Sequence, residues 1–469
     1  MIFAKPLPFI SEFIEQLNQG LQERSPKRKL SKAQKWWLSF CLMGIVLSNR
    51  MCFAEFERIG LGGYRLAALS WMFRHSKLLW SLLLQVSITI ILRHYGIHEG
   101  VLAGDDTENQ RAKRTVRIHK VHKVFDKKTG GYLNGQEVVI LYLITTKISL
   151  PVGFEFYQPD PALVKWRKAD DALKKQGINK SKRPPKPERN SNYPTKAALL
   201  LNLMEQFKYY HPTIQIKAIL GDALHGSNGF MKQAAAIFTG VQLISQLRKS
   251  QVIQYRNREM SVAEYFTQFP GVPMTIRIRG IAVQVILGSA RLSVKAHGQK
   301  RFVVAIKYEG QEEYRYLIAS DMSWRAIDIA SAYTLRWLIE VFFEDWKLYE
   351  GWGRFALQYD EEGSSRGLAL SLLSDYAFLL HPEQSARIKD NLPACTVGSL
   401  KRSSQMDALV EVIRGVVDAD DPHQRLNELI VLAKKLFPPR DSAKHMSGRD
   451  LGRLEPTPSL QYKAQACMA

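Results

Sequence analysis

Four polar residues in the C-terminal half could act together if they lie on one helix. They are Tyr333, Arg336, Glu340 and Lys347. At about 100° per residue, a helix would hold them within an arc of about 60°. The intervening residues are mostly apolar, so the predicted helix is buried on most sides and directs a carboxylate and two cations to one place. Because burying charges costs free energy, the pattern indicates a functional site. The simpler alternative is an amphipathic helix with an ordinary i,i+4 pair between Arg336 and Glu340.

Two aspartates earlier in the chain could act together with the Glu340 carboxylate in one site. Asp106 lies in the sequence GDDT after a short predicted strand, and Asp222 follows a second predicted strand in GDALHG. Open α/β folds place their active sites at the carboxyl ends of strands. Carboxylates on separate rigid elements can hold two divalent cations, which align the attacking and leaving oxygens across a phosphodiester. The sequence therefore predicts a metal-binding triad of Asp106, Asp222 and Glu340.

The elements that must position this triad alternate between strand and helix patterns, which predicts an α/β fold. Five regions are predicted: a helical DNA-binding domain (1–95), the first part of a catalytic core (96–250), an inserted β subdomain (251–322), the rest of the core with the Glu340 helix (323–382), and a helical C-terminal region with a disordered tail (383–469). The segment from Lys165 to Lys196 is rich in proline and charge, which predicts a solvated mobile loop. It is interpreted either as an insertion or as a flexible DNA clamp.

The spacing Y-x2-R-x3-E-x6-K of Tyr333, Arg336, Glu340 and Lys347 resembles the signature helix of bacterial DDE transposases of the insertion sequence 4 family. The DDT sequence at residues 105–107 and the GDALHG sequence resemble the two aspartate motifs of that family. The resemblance implies a ribonuclease-H-like core over about residues 98–380. In the first motif the residue directly before the threonine is the metal ligand, which favours Asp106 over Asp105. His225 departs from the family, whose members often carry an aromatic residue there.

The resemblance implies a cut-and-paste DNA transposase with two Mg²⁺ or Mn²⁺ ions in its active site. Its partners would be double-stranded DNA, namely the terminal inverted repeats and the target, and a second subunit in a synaptic homodimer. Tyr333, Arg336 and Lys347 would contact the phosphate beside the cleaved end. Trp337 could stack on an unpaired base, although core packing is the favoured alternative. A catalytically inactive DNA-binding protein derived from a transposase is the rival function, and a structure-specific nuclease is a third.

Composition restricts the partners and the compartment. The formal charge of +22 and the pI of about 9.7 indicate a polyanionic partner. Four dispersed cysteines support neither a disulfide framework nor a thiolate zinc site. We therefore expect the protein in a reducing cytoplasm, bound to the bacterial nucleoid.

The apolar run at residues 78–92 is too short and polar to cross a bilayer and predicts a buried helix. His119 and His122 lack further zinc ligands, and a Walker lysine pattern is absent.

Overall fold

A computed structural model describes residues 6–48, 50–111, 115, 117–126, 129–278, 280–353, 358–438 and 459. The predicted disordered tail lies largely outside these residues.

The N-terminal region is helical, as predicted, and its helices are α1 (Pro8–Arg24), α2 (Lys32–Ser48), α3 (Phe53–Ile59), α4 (Leu66–His75) and α5 (Trp80–His94). Trp37 is fully buried at the centre of this region, where it packs against Phe53, Phe73 and Trp80. These helices share one hydrophobic cluster with the rest of the chain.

No single helix of the described residues is long and apolar enough to span a membrane. Two pairs of consecutive helices reach that length and composition only when each pair is counted as one span. The first pair is α2 and α3, bent by 87°, and the second is α4 and α5, bent by 89°.

Six strands within residues 96–250 form one part of a large sheet. They are β1 (Glu99–Arg111), β2 (His122–Asp126), β3 (Gly131–Ile144), β4 (Ser149–Tyr157), β5 (Gln215–Gly221) and β6 (Gln242–Leu247). β3 is antiparallel to both β1 and β4, whereas β5 and β6 are parallel to β1. The resulting order β4-β3-β1-β5-β6 is that of a ribonuclease-H-like core, so the predicted fold class is confirmed.

Three helices connect these strands, namely α6 (Pro161–Lys175), α7 (Lys196–Tyr210) and α8 (Asn228–Ile237). The prediction of a mobile loop from Lys165 is wrong for its first part, because α6 extends to Lys175. The polypeptide after α6 folds back onto that helix. Arg183 forms an ion pair of 2.9 Å with Asp170, and Nε1 of Trp166 donates a hydrogen bond of 2.9 Å to the carbonyl of Pro184.

The strands of the predicted β insertion continue the same sheet. They are β7 (Val252–Tyr255), β8 (Arg258–Ser261), β9 (Val272–Ile278), β10 (Ile281–Val294), β11 (Gln299–Tyr308) and β12 (Arg315–Ala319), with α9 (Val262–Gln268) between β8 and β9. β12 returns to pair antiparallel with β6, so the insertion and the core form one sheet of twelve strands among the described residues.

The remaining described elements are helices: α10 (Ala326–Thr334), α11 (Trp337–Tyr349), α12 (Asp360–Leu379), α13 (Pro382–Lys389), α14 (Val397–Val417) and α15 (Pro422–Leu436). α12 is buried along most of its length and packs against α2, α5 and α11. It therefore joins the N-terminal helices to α11.

His211 forms a buried contact between that core and the N-terminal helices. It follows α7, and its Nε2 lies 3.1 Å from Oε1 of Gln85 in α5. Burial, assisted by the charge of Arg24, lowers the pKa of His211 to about 4. Because the folded-state pKa is below the unfolded value, the stabilisation is complete above about pH 6.5 and is lost as the pH falls through about 4.

We therefore expect acidification from pH 7 to pH 4 to cost the wild type roughly 3 kcal/mol more of unfolding free energy than it costs His211→Gln. Urea unfolding at a series of pH values measures this difference. His75→Gln, at an exposed position of α4, is the control and should follow the wild type. Parallel pH profiles for the wild type and His211→Gln would contradict the assignment.

Candidate active site

The alternation of side chains along β1 decides which residues reach which helix. Thr107 accepts a hydrogen bond of 2.6 Å from Nζ of Lys347 in α11, and Asp105 contacts Arg336 just before α11. A Cβ added at Gly104 would instead lie 2.2 Å from a methyl group of Leu200 in α7. Since successive strand residues point to opposite faces, Asp105 and Thr107 face α11, whereas Gly104 and Asp106 face α7.

On the α11 face, Arg336 joins two carboxylates. Its Nη1 donates to the carboxylate of Asp105 and lies 3.2 Å from Oε1 of Glu340. Burial raises the pKa of Asp105 to about 7, although the Arg336 charge acts in the opposite direction. Burial also raises the pKa of Tyr333 to about 12, and Tyr333 is hydrogen-bonded to Arg336. Burial thus opposes the ionised form of the Asp105 carboxyl, and the Arg336 charge favours it.

Asp222 follows the last residue of β5, as predicted, and begins a short 3₁₀ turn. Its Oδ1 accepts hydrogen bonds of 2.9 Å from the backbone N–H of Leu224 and from Nδ1 of His225. Burial alone would raise the pKa of Asp222, but these hydrogen bonds and the charges of His225 and Arg336 lower it. His225, which departs from the expected aromatic residue, is buried and fixes the orientation of the Asp222 carboxylate. Arg336 thus acts electrostatically on Asp105, Asp222 and Glu340.

The predicted signature helix is interrupted. α10 ends at Thr334 and α11 begins at Trp337, so Tyr333 and Glu340 lie on different helices. Leu335 and Arg336 between them keep right-handed helical backbone angles with i→i−3 hydrogen bonds, so the predicted helix is interrupted only by a tighter turn and Tyr333, Arg336 and Glu340 still meet. Lys347 is partly buried against β1, where its Nζ also donates to the carbonyl of Glu108 at 2.7 Å. Trp337 is half-exposed, with 51% of its surface accessible.

Asp106 belongs to a second polar cluster, on the α7 face. Nζ of Lys196 lies 2.7 Å from Oδ2 of Asp106 and 2.9 Å from Oε1 of Glu137. The second oxygen of Glu137 lies 2.9 Å from Nε2 of His122. Although burial favours the neutral amine, the two carboxylates raise the pKa of Lys196. The contacts of Asp106 are therefore those of a partly buried ion pair, although its carboxylate also lies within electrostatic range of Asp222, whereas Asp105 is the β1 carboxylate that interacts with Glu340.

Sequence reasoning missed Lys196 and Glu137 as members of this cluster. One local signal was present for Lys196, because Oγ1 of Thr195 caps α7 and fixes Lys196 as its first residue. Glu137 lies in an otherwise apolar run, EVVILYLIT, where a charged residue requires a partner.

The donor set of Asp105, Asp222 and Glu340 suits a hard divalent cation, because carboxylate oxygens are its preferred ligands. Arg336 pairs with Asp105 and Glu340, and its charge also acts on Asp222, so a positive charge is favoured at this place. Among the described residues, however, no group of three His, Cys, Asp or Glu side chains is close enough to hold a metal ion. Metal binding would therefore require Arg336 to release Asp105 and Glu340.

A family match supports the DDE part of the predicted resemblance and does not test the insertion sequence 4 family. Residues 62–265 match the family of DDE superfamily endonucleases. The matched region includes both aspartate motifs and ends before Glu340. Among solved structures, a piggyBac transposase synaptic complex with hairpin DNA is similar at a TM-score of 0.41 and 10% identity, covering 96% of this chain and 86% of that one. No curated protein matches the chain.

Proposed function

We propose, from the match of residues 62–265 to the DDE superfamily endonucleases, that this chain is a DNA transposase that cuts and joins transposon ends. The observation that carries the proposal is that Arg336 pairs with Asp105 of β1 and Glu340 of α11, while Asp222 at the end of β5 lies within range of its charge, in a ribonuclease-H-like fold. The similarity to insertion sequence 4 transposases supports cut-and-paste transposition.

Asp105, Asp222 and Glu340 would hold the metal ions, two Mg²⁺ or Mn²⁺, with Asp105 in the place that the motif spacing gives to Asp106. When bound, such ions supply charge stabilisation for the oxygens of a phosphodiester under attack. His225 keeps the Asp222 carboxylate in one orientation through its Nδ1 hydrogen bond. Arg336 balances the carboxylates without metal, and after it releases them its guanidinium can bind a DNA phosphate in a bidentate manner.

The proposed partner is double-stranded DNA, comprising terminal inverted repeats and target DNA, in the bacterial cytoplasm on the nucleoid. The net charge of +22 supports a polyanionic partner. Tyr333, Arg336 and Lys347 would contact the phosphate next to the cleaved end, and Trp337, with 51% of its surface accessible, would stack on an unpaired base. Two copies of the chain would act together on the two ends.

The proposal is tested by running a gel shift and a cleavage assay in parallel on one labelled transposon end at fixed Mg²⁺. The end sequence is found among inverted repeats in the DNA that flanks the gene. Glu340→Gln should bind the end as the wild type does and yield no product, because it removes a proposed metal ligand only. Arg336→Ala should weaken end binding and lower cleavage, since it removes a phosphate contact.

Wild-type protein that binds the end but never cuts it would favour the inactive DNA-binding protein. Product that is cut but never joined to target DNA would favour a nuclease. Normal cleavage by Glu340→Gln would remove the proposed active site.

A further prediction concerns ionic strength. The logarithm of the end-binding constant should fall linearly with the logarithm of salt concentration, by about 0.9 for each phosphate that the protein neutralises. A titration from about 50 to about 200 mM KCl measures this slope. A flat response would contradict binding to the DNA backbone.

A further inference from the structure

We propose that α14 pairs in antiparallel fashion with α14 of a second copy of this chain. The interface would give a defined surface to the homodimer proposed above, but it requires neither DNA nor catalysis. Its success or failure is therefore independent of the active site.

α14 is apolar on two opposite sides. One side is buried against α2 and α11 through Leu400, Ser404 and Ala408, and Nζ of the buried Lys401 donates a hydrogen bond of 2.8 Å to the carbonyl of Ile45. The other side is exposed and forms what we call the α14 stripe. Its residues and exposed fractions are Met406 (58%), Leu409 (49%), Val410 (41%), Ile413 (54%) and Val417 (65%). At about 100° per residue they cover an arc of about 100°.

The spacing within the α14 stripe is that of a coiled-coil seam. Met406, Val410, Ile413 and Val417 follow one another at intervals of four, three and four residues, which is the heptad repeat that packs against a second helix. An apolar surface of this length on a folded protein marks an interaction site. α15 exposes further apolar residues, Leu426 (46%), Ile430 (42%) and Phe437 (51%), which enlarge the surface available to a partner.

The charges beside the stripe indicate that the partner is a second α14. Asp407 and Arg414 lie on the same edge of the stripe, and both are exposed. A two-fold axis between Val410 and Ile413 sets Met406 against Val417 of the second copy. The same axis brings Asp407 within about two residues, or about 3 Å along the helix, of Arg414 of the second copy. Symmetry repeats this ion pair, so the surface is complementary to itself.

A parallel pair would lose this complementarity. The edge that carries Asp407 and Arg414 would then lie on opposite sides of the seam in the two copies, so Asp407 of one copy could not reach Arg414 of the other. Arg414 already forms an ion pair of 2.8 Å with Glu411 of its own helix, but its side chain remains 66% exposed and accessible to a second carboxylate. The antiparallel arrangement is therefore the one that the observed charges favour.

The test measures the oligomeric state of the full-length chain without DNA, by sedimentation equilibrium at micromolar concentration. The wild type should be a dimer, and Ile413→Glu should raise the dissociation constant about a hundredfold, because it buries a charge in the seam. Ile281→Glu is the matched control, since Ile281 is 68% exposed on β10, and it should leave the dimer unchanged. Circular dichroism and thermal unfolding check that each variant is folded.

A charge exchange tests the antiparallel geometry itself. Asp407→Arg and Arg414→Asp should each weaken the homodimer about tenfold, because each brings like charges together twice. Mixing the two variants in equal amounts should restore the wild-type dissociation constant, since every introduced charge then faces an opposite one.

Three results would overturn the proposal. The first is a wild type that stays monomeric at about 100 µM, well above the micromolar range of specific association. The second is a dimer that neither Ile413→Glu nor the charge variants weaken, which would place the interface elsewhere. The third is a monomer that dimerises once residues 438–469 are removed, which would make that segment, and not a second copy, the occupant of the α14 stripe.

Discussion

Asp105→Asn is expected to lower Mg²⁺-dependent cleavage of a transposon end by about a thousandfold. Metal ions contribute several kcal/mol to stabilising such a reaction, and each 1.36 kcal/mol is worth about a factor of ten in rate. Asp105 is the carboxylate of β1 that faces Glu340 across Arg336, so its loss should remove a metal ligand. Single-turnover cleavage of one labelled end measures the effect, and titration with Mn²⁺ reports the loss of metal affinity separately.

Asp106→Asn is the matched control, because it makes the same chemical change one residue away. Its side chain faces Lys196 on the other side of the sheet, so we expect it to retain far more activity than Asp105→Asn and to lose stability instead. The reverse result, with an inert Asp106→Asn and an active Asp105→Asn, would restore the motif-based prediction that Asp106 is the ligand. It would also require β1 to rearrange when metal binds.

Lys196→Met is expected to lower the free energy of unfolding by about 4 kcal/mol. The substitution leaves two partly buried carboxylates, Asp106 and Glu137, without their shared cation, and breaking a buried ion pair from one side costs about 3 to 5 kcal/mol. Urea unfolding at pH 7 measures the change. Adding Glu137→Gln to Lys196→Met should recover part of the loss, because it removes one of the two unpaired charges.

Lys217→Met is the control for the removal of a lysine. Lys217 pairs with Glu99 at 3.2 Å, but both side chains are about half exposed, so the change should cost less than about 1 kcal/mol. If Lys196→Met were as stable as the wild type and instead lost DNA affinity, Lys196 would belong to the DNA-binding surface.

The sequence by itself determined the elements and the chemical types of the candidate site. The strand pattern before Asp222 and the helical pattern around Glu340 are local, because side-chain periodicity and turn residues depend only on near neighbours. The first strand was predicted to end before Asp105, whereas β1 continues through Asp105 and Asp106 to Arg111. α14 and α15 were likewise predicted within residues 405–414 and 425–436. The net charge follows from composition alone.

The tertiary structure decided which residues face one another. Strand periodicity predicts that Asp105 and Asp106 point to opposite faces of the sheet. It does not predict which face packs against α11 and which packs against α7. That assignment depends on the packing of elements more than two hundred residues apart, as in the contact of Asp105 with Arg336. The break between α10 and α11 is also tertiary, because no proline or glycine at residues 334–336 marks it.

The same limit explains why the sequence did not reveal the Lys196 cluster or the α14 stripe. Lys196, Asp106 and Glu137 meet only because α7 packs over the face of β1 and β3 that Asp106 occupies. In α14, apolar residues on both sides of the helix are compatible with a fully buried helix. Only the packed structure shows that α2 and α11 cover one side and leave Met406, Ile413 and Val417 exposed, because burial depends on the neighbours in space and not in sequence.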